Sequence, residues 1–324
     1  MSRSRRSSAR HAPRWTSWVT PSCRWPPSTA SEAGRADVVY TRKNQRDLTR
    51  TEKKRLVSAL LELKRSGRYD EFVTMHGRYY VPDADGGPRV SHMAPSFLPW
   101  HRRFLLEFER ALRAVDPGVS VPYWDWTKDN TPAASLWAED FLGGDGRAGD
   151  RKVTTGAFAH ANGNWNLRRR IGDRAFLTRN LGRPSDPVSL PTRQDVAKAL
   201  SDPLYDAAPW DSTATKGFRN KIEGWGRGGT VTTYNHNRVH RWVGGVMMGA
   251  TSPDDPVFWL HHAFVDLLWD RWQEAHPGSG YLPREKLPAS DPQHGRVFSL
   301  NEPMPPWNVT PAQLLDHSGV YRYA

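Results

Sequence analysis

Histidines at helical intervals, set in stretches that are otherwise apolar, constrain this chain more than any other feature. His236 and His240 stand four residues apart in a segment, residues 234–243, that reads as a helix closed by Gly244 and Gly245. Their rings therefore leave one face about one turn apart, within reach of a single metal ion. His101 opens the stretch SFLPWHRRFLLEFERALRAVDPG, where His101, Leu105, Phe108 and Leu112 recur every three or four residues and Asp116-Pro117-Gly118 ends the run. His262 falls in the early turns of another helix, which starts after Asp255-Pro256, an N-cap followed by a first-position proline, and runs to His276. Phe97, Leu98, Phe104, Phe258, Trp259 and Leu260 surround these positions and imply that the histidine-bearing ends are buried. A buried imidazole requires partners for both nitrogens, or a metal.

Any one of these histidines, taken alone, reads more readily as a hydrogen-bonded packing residue than as a ligand. The glutamate that a zinc protease places after the first histidine of its pair is missing, because Asn237 stands there. The single cysteine, Cys23, permits neither an internal disulfide nor a cysteine-based zinc site. Coordination by imidazole alone suits copper, zinc, iron or nickel, and residue chemistry does not choose among them.

The remaining pattern is that of one mainly helical domain. Thr49 and Glu52 form a capping box ahead of a helix with Leu56, Leu60 and Leu63 on one face, stopped by Ser66-Gly67. Residues 69–80 read as a second helix. Residues 119–126 (VSVPYWDW) read as a short strand or extended turn, and residues 127–232 as a long Gly- and Pro-punctuated stretch with few helical pieces. Residues 1–38, rich in arginine, serine and proline, read as a disordered basic extension or a mis-assigned start. Residues 39–324 read as the folded domain. No evident export signal is found, since the longest apolar candidate near the start is broken by Arg14, Ser17, Thr20 and Pro21. No run approaches the roughly 20 apolar residues of a membrane-spanning helix.

The formal charge of +12 raises the question of a nucleic-acid partner, but residues 1–40 hold seven arginines against two acids and so supply +5 of it. The rest is dispersed. Arg168, Arg169, Arg170, Arg174 and Arg179 read as a solvated surface, no nucleic-acid motif accompanies them, and neither nucleic acid nor membrane is an expected partner.

The segments TRKNQRDLT, LELKRSGRYDEFVTMH, SHMAPSFLPWHRRFLLEFERAL, VPYWDW, SLWAEDFLGG, FRNKIEGW, HNRVHRWVGG and SPDDPVFWLHHAFVD resemble the tyrosinases, most closely small actinobacterial ones, over about residues 40–324. The resemblance implies a central four-helix bundle holding a dicopper site, with long loops and few short strands. One copper would be held by His76, His92 and His101, and the other by His236, His240 and His262, with His92 arriving from a loop. It implies copper-dependent oxidation of phenols by O2: ortho-hydroxylation of monophenols and oxidation of o-diphenols to o-quinones. Residues matching Glu223 and Asn237 are thought in that family to hold a water that accepts the phenol proton.

His261, about 100° from its neighbour on a helix, reads as a residue behind the ligands. Asp266 could accept a hydrogen bond from a ligand ring, and Tyr80, Trp225 and Phe264 are candidate pocket walls. Three departures from the family pattern stand out: a glycine-rich stretch between Glu223 and His236, Gly77 after His76, and Leu267 after Asp266. The alternatives carried forward are an o-aminophenol or catechol oxidase with little hydroxylation and, from another class, a dioxygen carrier. The resemblance also implies a small caddie protein that loads copper and carries the export signal. The chain is accordingly expected to be cytoplasmic, or secreted with that partner.

Overall fold

The computed structural model describes residues 39–80, 86–167, 175–225 and 233–324. The basic segment 1–38, with Cys23, and the arginines at 168, 169, 170 and 174 lie outside them. Helix α1 (Arg50–Arg65) starts where the sequence sets it. Thr49 accepts the Glu52 N–H at 3.2 Å while the Glu52 carboxylate takes the Thr49 N–H at 2.8 Å, and Leu56, Leu60 and Leu63 are buried. A left-handed Gly67 (φ 82°) turns the chain into α2 (Arg68–Tyr79). Then come α3 (Phe97–Val115), the short α4 (Arg193–Leu200) and α5 (Phe218–Glu223), α6 (Asn235–Val243) and α7 (Val257–Ala275).

Helices α2, α3, α6 and α7 form the central bundle, with α1 laid across α2 and α3. Aromatic rings fill the joint. Phe108 of α3 stacks on Trp259 of α7 at 3.5 Å between centroids, and Phe72 of α2 meets both rings edge-on at 5.2 and 5.8 Å. Each such ring is essentially fully buried. Truncating one to alanine costs about 3–5 kcal/mol, so this cluster sets how the histidine-bearing helices sit.

Just ahead of α7, whose N-cap is Pro256, Asp255 accepts the Val257 N–H at 3.1 Å, and Arg179 grips the same carboxylate through two hydrogen bonds of 2.7 and 2.8 Å. Arg179 also donates to the carbonyls of Leu142 and Gly143 and is fully buried, so its assignment to a solvated surface is corrected. Only a planar cation with five donors can satisfy a buried carboxylate and a turn's carbonyls together.

Residues 119–125 form no helix or strand beyond an isolated bridge from Tyr123 to Asn44, and Trp126 opens a turn. The described sheet is one parallel pair, β1 (Tyr40–Arg42) against β2 (Tyr321–Tyr323), which brings the two ends of the domain together. Beneath it, Asp266 of α7 accepts from Tyr321 and Tyr323 hydroxyls at 2.5 and 2.6 Å, from Arg102 Nε at 2.6 Å and from Arg42 Nη1 at 3.0 Å. Among the described residues no helix is long and apolar enough to cross a membrane.

Candidate metal centre

The bundle carries seven histidines inward. His76 lies in the last turn of α2, His92 in the loop before α3, His101 in the first turns of α3, His236 and His240 on α6, and His261 and His262 on α7. They form two groups, His76/His92/His101 and His236/His240/His261/His262, within each of which one ring nitrogen per residue lies within 4.8 Å of the others. The groups face each other, with the His101 and His262 rings stacked at 4.2 Å.

Hydrogen bonds fix the tautomers. His76 Nδ1 meets the Ala250 carbonyl at 2.7 Å, His101 Nδ1 the Phe97 carbonyl one turn back at 2.9 Å, and His240 Nδ1 the Met247 carbonyl at 2.7 Å. His236 Nδ1 faces Asn237 Oδ1 at 3.0 Å and the Glu223 carbonyl at 3.3 Å. His92 Nδ1 lies 2.9 Å from Ser91 Oγ, whose own hydrogen goes to the Tyr79 carbonyl, so the serine oxygen accepts. These five rings therefore carry their proton on Nδ1 and present a bare lone pair at Nε2.

Those lone pairs demand a cation. His236 Nε2 lies 3.0 Å from His240 Nε2 and 3.3 Å from His262 Nε2, a spacing at which the His236 and His240 lone pairs repel unless a positive ion sits among them. Nε2 of His76 and of His101 is buried with no hydrogen-bond partner among the described residues. Burial keeps the rings neutral, as metal ligation requires. It pulls His76 down to about 3 and His240 to about 4, and His92, His101, His236, His261 and His262 well below the usual imidazole value. A pair of soft-to-borderline ions fits this all-imidazole donor set.

His261 is closer to the centre than its helical angle suggests. Its ring stacks on His236 at 4.9 Å and 17° and lies 5.0 Å from His240, because α6 packs along the side of α7 that both adjacent histidines can reach. Neither ring nitrogen has a partner in hydrogen-bonding geometry among the described residues, although the nearby His236 backbone slightly favours its protonated form.

Glu223, at the end of α5, is fully buried. Its carboxylate takes the Met93 N–H at 2.6 Å and Arg219 Nη1 at 2.9 Å, and Arg219 in turn holds Asp206 at 2.7 and 3.0 Å. Burial pushes the Glu223 carboxyl up against the pull of Arg219. Met93 follows His92 with a left-handed φ of 55°, so Glu223 pins the backbone of the loop that delivers His92. Asn237 presents a buried side-chain nitrogen without a hydrogen-bond partner among the described residues.

Tyr80 lies against His92 at 4.8 Å, and Trp225 is half-buried just past α5. Phe264 packs in the core on Trp126 at 4.9 Å and Tyr123 at 5.9 Å rather than walling a pocket. Asp266 gives its carboxylate to two arginines and two tyrosines rather than to a ligand ring. Burial raises it, but Arg102 and Arg42 outweigh that and hold it far below the usual range. Two contributors had no distinct sequence signal, the Met247 and Ala250 carbonyls; the Arg219–Glu223 pair is legible from its i, i+4 spacing, but not its contact with the His92 loop. Ser91 had only its adjacency to His92.

A helical bundle that turns two facing groups of neutral imidazoles onto a shared centre defines a binuclear all-histidine metalloprotein. The sequence model of the common central domain of tyrosinase matches residues 66–275. The chain is 56% identical to the tyrosinase of Streptomyces glaucescens and 54% identical to that of Streptomyces antibioticus, each over 283 residues covering 87% of this chain and 98% of the relative. Its fold matches a mutant polyphenol oxidase from Thermothelomyces thermophila with a TM-score of 0.64, at 23% identity, over 89% of this chain and 90% of that one. The chain belongs to the tyrosinase family. It is an oxidoreductase, its cofactor is a pair of copper ions, and its reaction is the oxidation of phenols.

Proposed function

We propose that the enzyme hydroxylates monophenols at the ortho position and oxidises the resulting o-diphenols to o-quinones. His76, His92 and His101 hold one copper in this reading, and His236, His240 and His262 the other. The observation that carries the assignment is the set of five Nδ1–H anchors that leave Nε2 lone pairs facing one another. When bound, the copper pair supplies dioxygen binding and the electron-accepting power for the oxidation. The chain supplies the rest. Carbonyls and Ser91 fix the imidazoles, Phe97 and Phe258, at 4.9 Å from His236 and 4.2 Å from His262, keep the centre dry, and Tyr80 borders the His92 side.

Asn237 and Glu223 are assigned to a water that takes the phenol proton. The Asn237 amide nitrogen, buried without a partner among the described residues, and the buried carboxylate beside the His92 loop support that role. Asn237→Ala and Glu223→Gln, compared on a monophenol and a catechol, test it. Hydroxylation should fall by about a hundredfold or more, the lower end of what a positioned acid–base group contributes, with catechol turnover largely kept. Equal loss on both substrates refutes the assignment.

One observation favours a second reading, oxidation of catechols or o-aminophenols with little hydroxylation. Both Glu223 oxygens are already engaged, one by Arg219 and one by Met93. Quinone formation from catechol with no hydroxylation of tyrosine would select it.

A small caddie partner that loads copper and carries the chain out of the cell is also proposed. Tyr234 and Met248, 41% and 54% exposed, flank α6 and offer apolar ground for such a cover. Co-expression with such a partner should raise copper per chain, and full metallation without one would remove the need. Secretion of the chain only with the partner would support the route, and equal secretion without it would refute it.

A further inference from the structure

The segment joining α6 to α7 touches both histidine groups. His240, from one group, donates to the Met247 carbonyl, and His76, from the other group and another helix, donates to the Ala250 carbonyl, each at 2.7 Å. Only two residues, Met248 and Gly249, separate the two acceptors. The segment is also tied at both ends. Val246 N–H donates to the Thr178 carbonyl at 3.2 Å, where Gly245 (φ 55°) sits so close that a Cβ would lie 1.9 Å from that oxygen. Beyond Ala250, Tyr69 of α2 donates to the Pro253 carbonyl at 2.6 Å. Within it, Met247 N–H bonds Gly244 and Ser252 N–H bonds Gly249, at 3.0 and 2.9 Å, so two successive tight turns leave little slack between the carbonyls.

We propose that residues 247–250 act as a shared positioning crossbar that makes the two copper half-sites load cooperatively. The inference rests on the six-ligand assignment above. An ion on His76, His92 and His101 fixes the His76 ring and, through its Nδ1–H, the Ala250 carbonyl. Because the segment has little slack, that also holds the Met247 carbonyl where His240 needs it. The freedom left to the segment is given up once, to the first ion, so the second meets a half-site already set and binds more tightly. Two adjacent cations repel, which by itself would make loading anticooperative. Positive cooperativity is therefore a diagnostic sign of the crossbar.

The test is native mass spectrometry of the full chain, stripped of copper and given one equivalent of Cu(I) without oxygen. Coupling of about 10- to 100-fold leaves only about a quarter to a tenth of chains with one copper, the rest holding none or two. Independent sites leave half or more with one. Ala250→Gly, which frees the backbone between the two carbonyls, should raise the one-copper share to half or more while two coppers still bind at saturation. Half or more one-copper chains in the unaltered protein, or an unchanged distribution in Ala250→Gly, overturns the crossbar alone. Saturation below two coppers overturns the ligand assignment and the crossbar with it. The unaltered protein decides the matter even if the variant does not fold.

Discussion

Removing copper should make the fold acid-sensitive in a pH window set by the histidines. His76 is 1% exposed and titrates at about 3 when folded, against 6.5 in an unconstrained chain. The depressed folded value comes first from burial, with the Ala250 hydrogen bond pulling weakly the other way. Below 6.5 the unfolded state takes up a proton that the folded state refuses, so stability present at high pH is lost as pH falls from 6.5 toward 3. At pH 5 this amounts to about 2 kcal/mol for His76 alone. His240, held to about 4 by burial, adds nearly as much at pH 5. His92, His101, His236, His261 and His262 shift in the same direction for the same reason.

Each of these shifts adds to the loss in the same direction, in a protein whose total stability is roughly 5–15 kcal/mol if it is a typical domain. The metal-free protein should therefore unfold between pH 6.5 and 5. The copper-loaded protein, whose imidazoles are committed to metal, should survive lower. Urea midpoints measured at pH 7.5, 6.5 and 5.5 on both forms read the effect as protons taken up on unfolding. The carboxylates that titrate low, such as Asp266, act below this window and do not confuse it. A metal-free protein that takes up fewer than one proton between pH 6.5 and 5.5 would refute the reasoning.

Asp266→Asn should cost about 3–5 kcal/mol, the loss expected when one partner of a buried ion pair is removed, and a thermal melt that moves by under a few degrees would contradict it. Gly224→Ala should be poorly tolerated, because at φ 95° its Cβ would lie 1.9 Å from the Tyr234 carbonyl. A left-handed alanine alone costs about 1–2 kcal/mol, and displacement of the α5–α6 junction should lower copper per chain as well; normal metal content in a protein of unchanged melting point would show the junction to be slack. His262→Ala should leave one copper or fewer per folded chain by metal analysis with far-ultraviolet dichroism intact, whereas retention of two would remove His262 from the ligand set.

The helices were legible because their signals are local. The capping box at Thr49, the i, i+3, i+4 spacing after Pro95 and the proline after Asp255 each act within one or two turns, and α1, α3 and α7 begin within a residue or two of those signals. The buried charges were not legible, because what decides them is distant in sequence. Arg179 reads as surface until Asp255, 76 residues away, is brought to it. Asp266 reads as a neighbour of His262 until Arg42 and Tyr321, 224 and 55 residues away, claim its oxygens. The same holds for His261, whose helical angle is right but whose surroundings depend on where α6 lies.

The centre itself divides along that line. The nitrogen donors are side chains, and side chains have letters, so the histidine pattern could be read. Four of the five Nδ1 anchors have a backbone carbonyl within reach, from Ala250, Phe97, Met247 and Glu223, and a carbonyl has no letter. Residues at such positions can change identity freely while the oxygen stays in place. Their φ and ψ cannot change, which is why Gly245 and Gly224, both at positive φ against a neighbouring carbonyl, stand beside the segments that supply those oxygens. Substitutions that move the backbone at these two glycines should therefore harm the metal centre more than most side-chain changes at Met247 or Ala250, although neither glycine is a ligand.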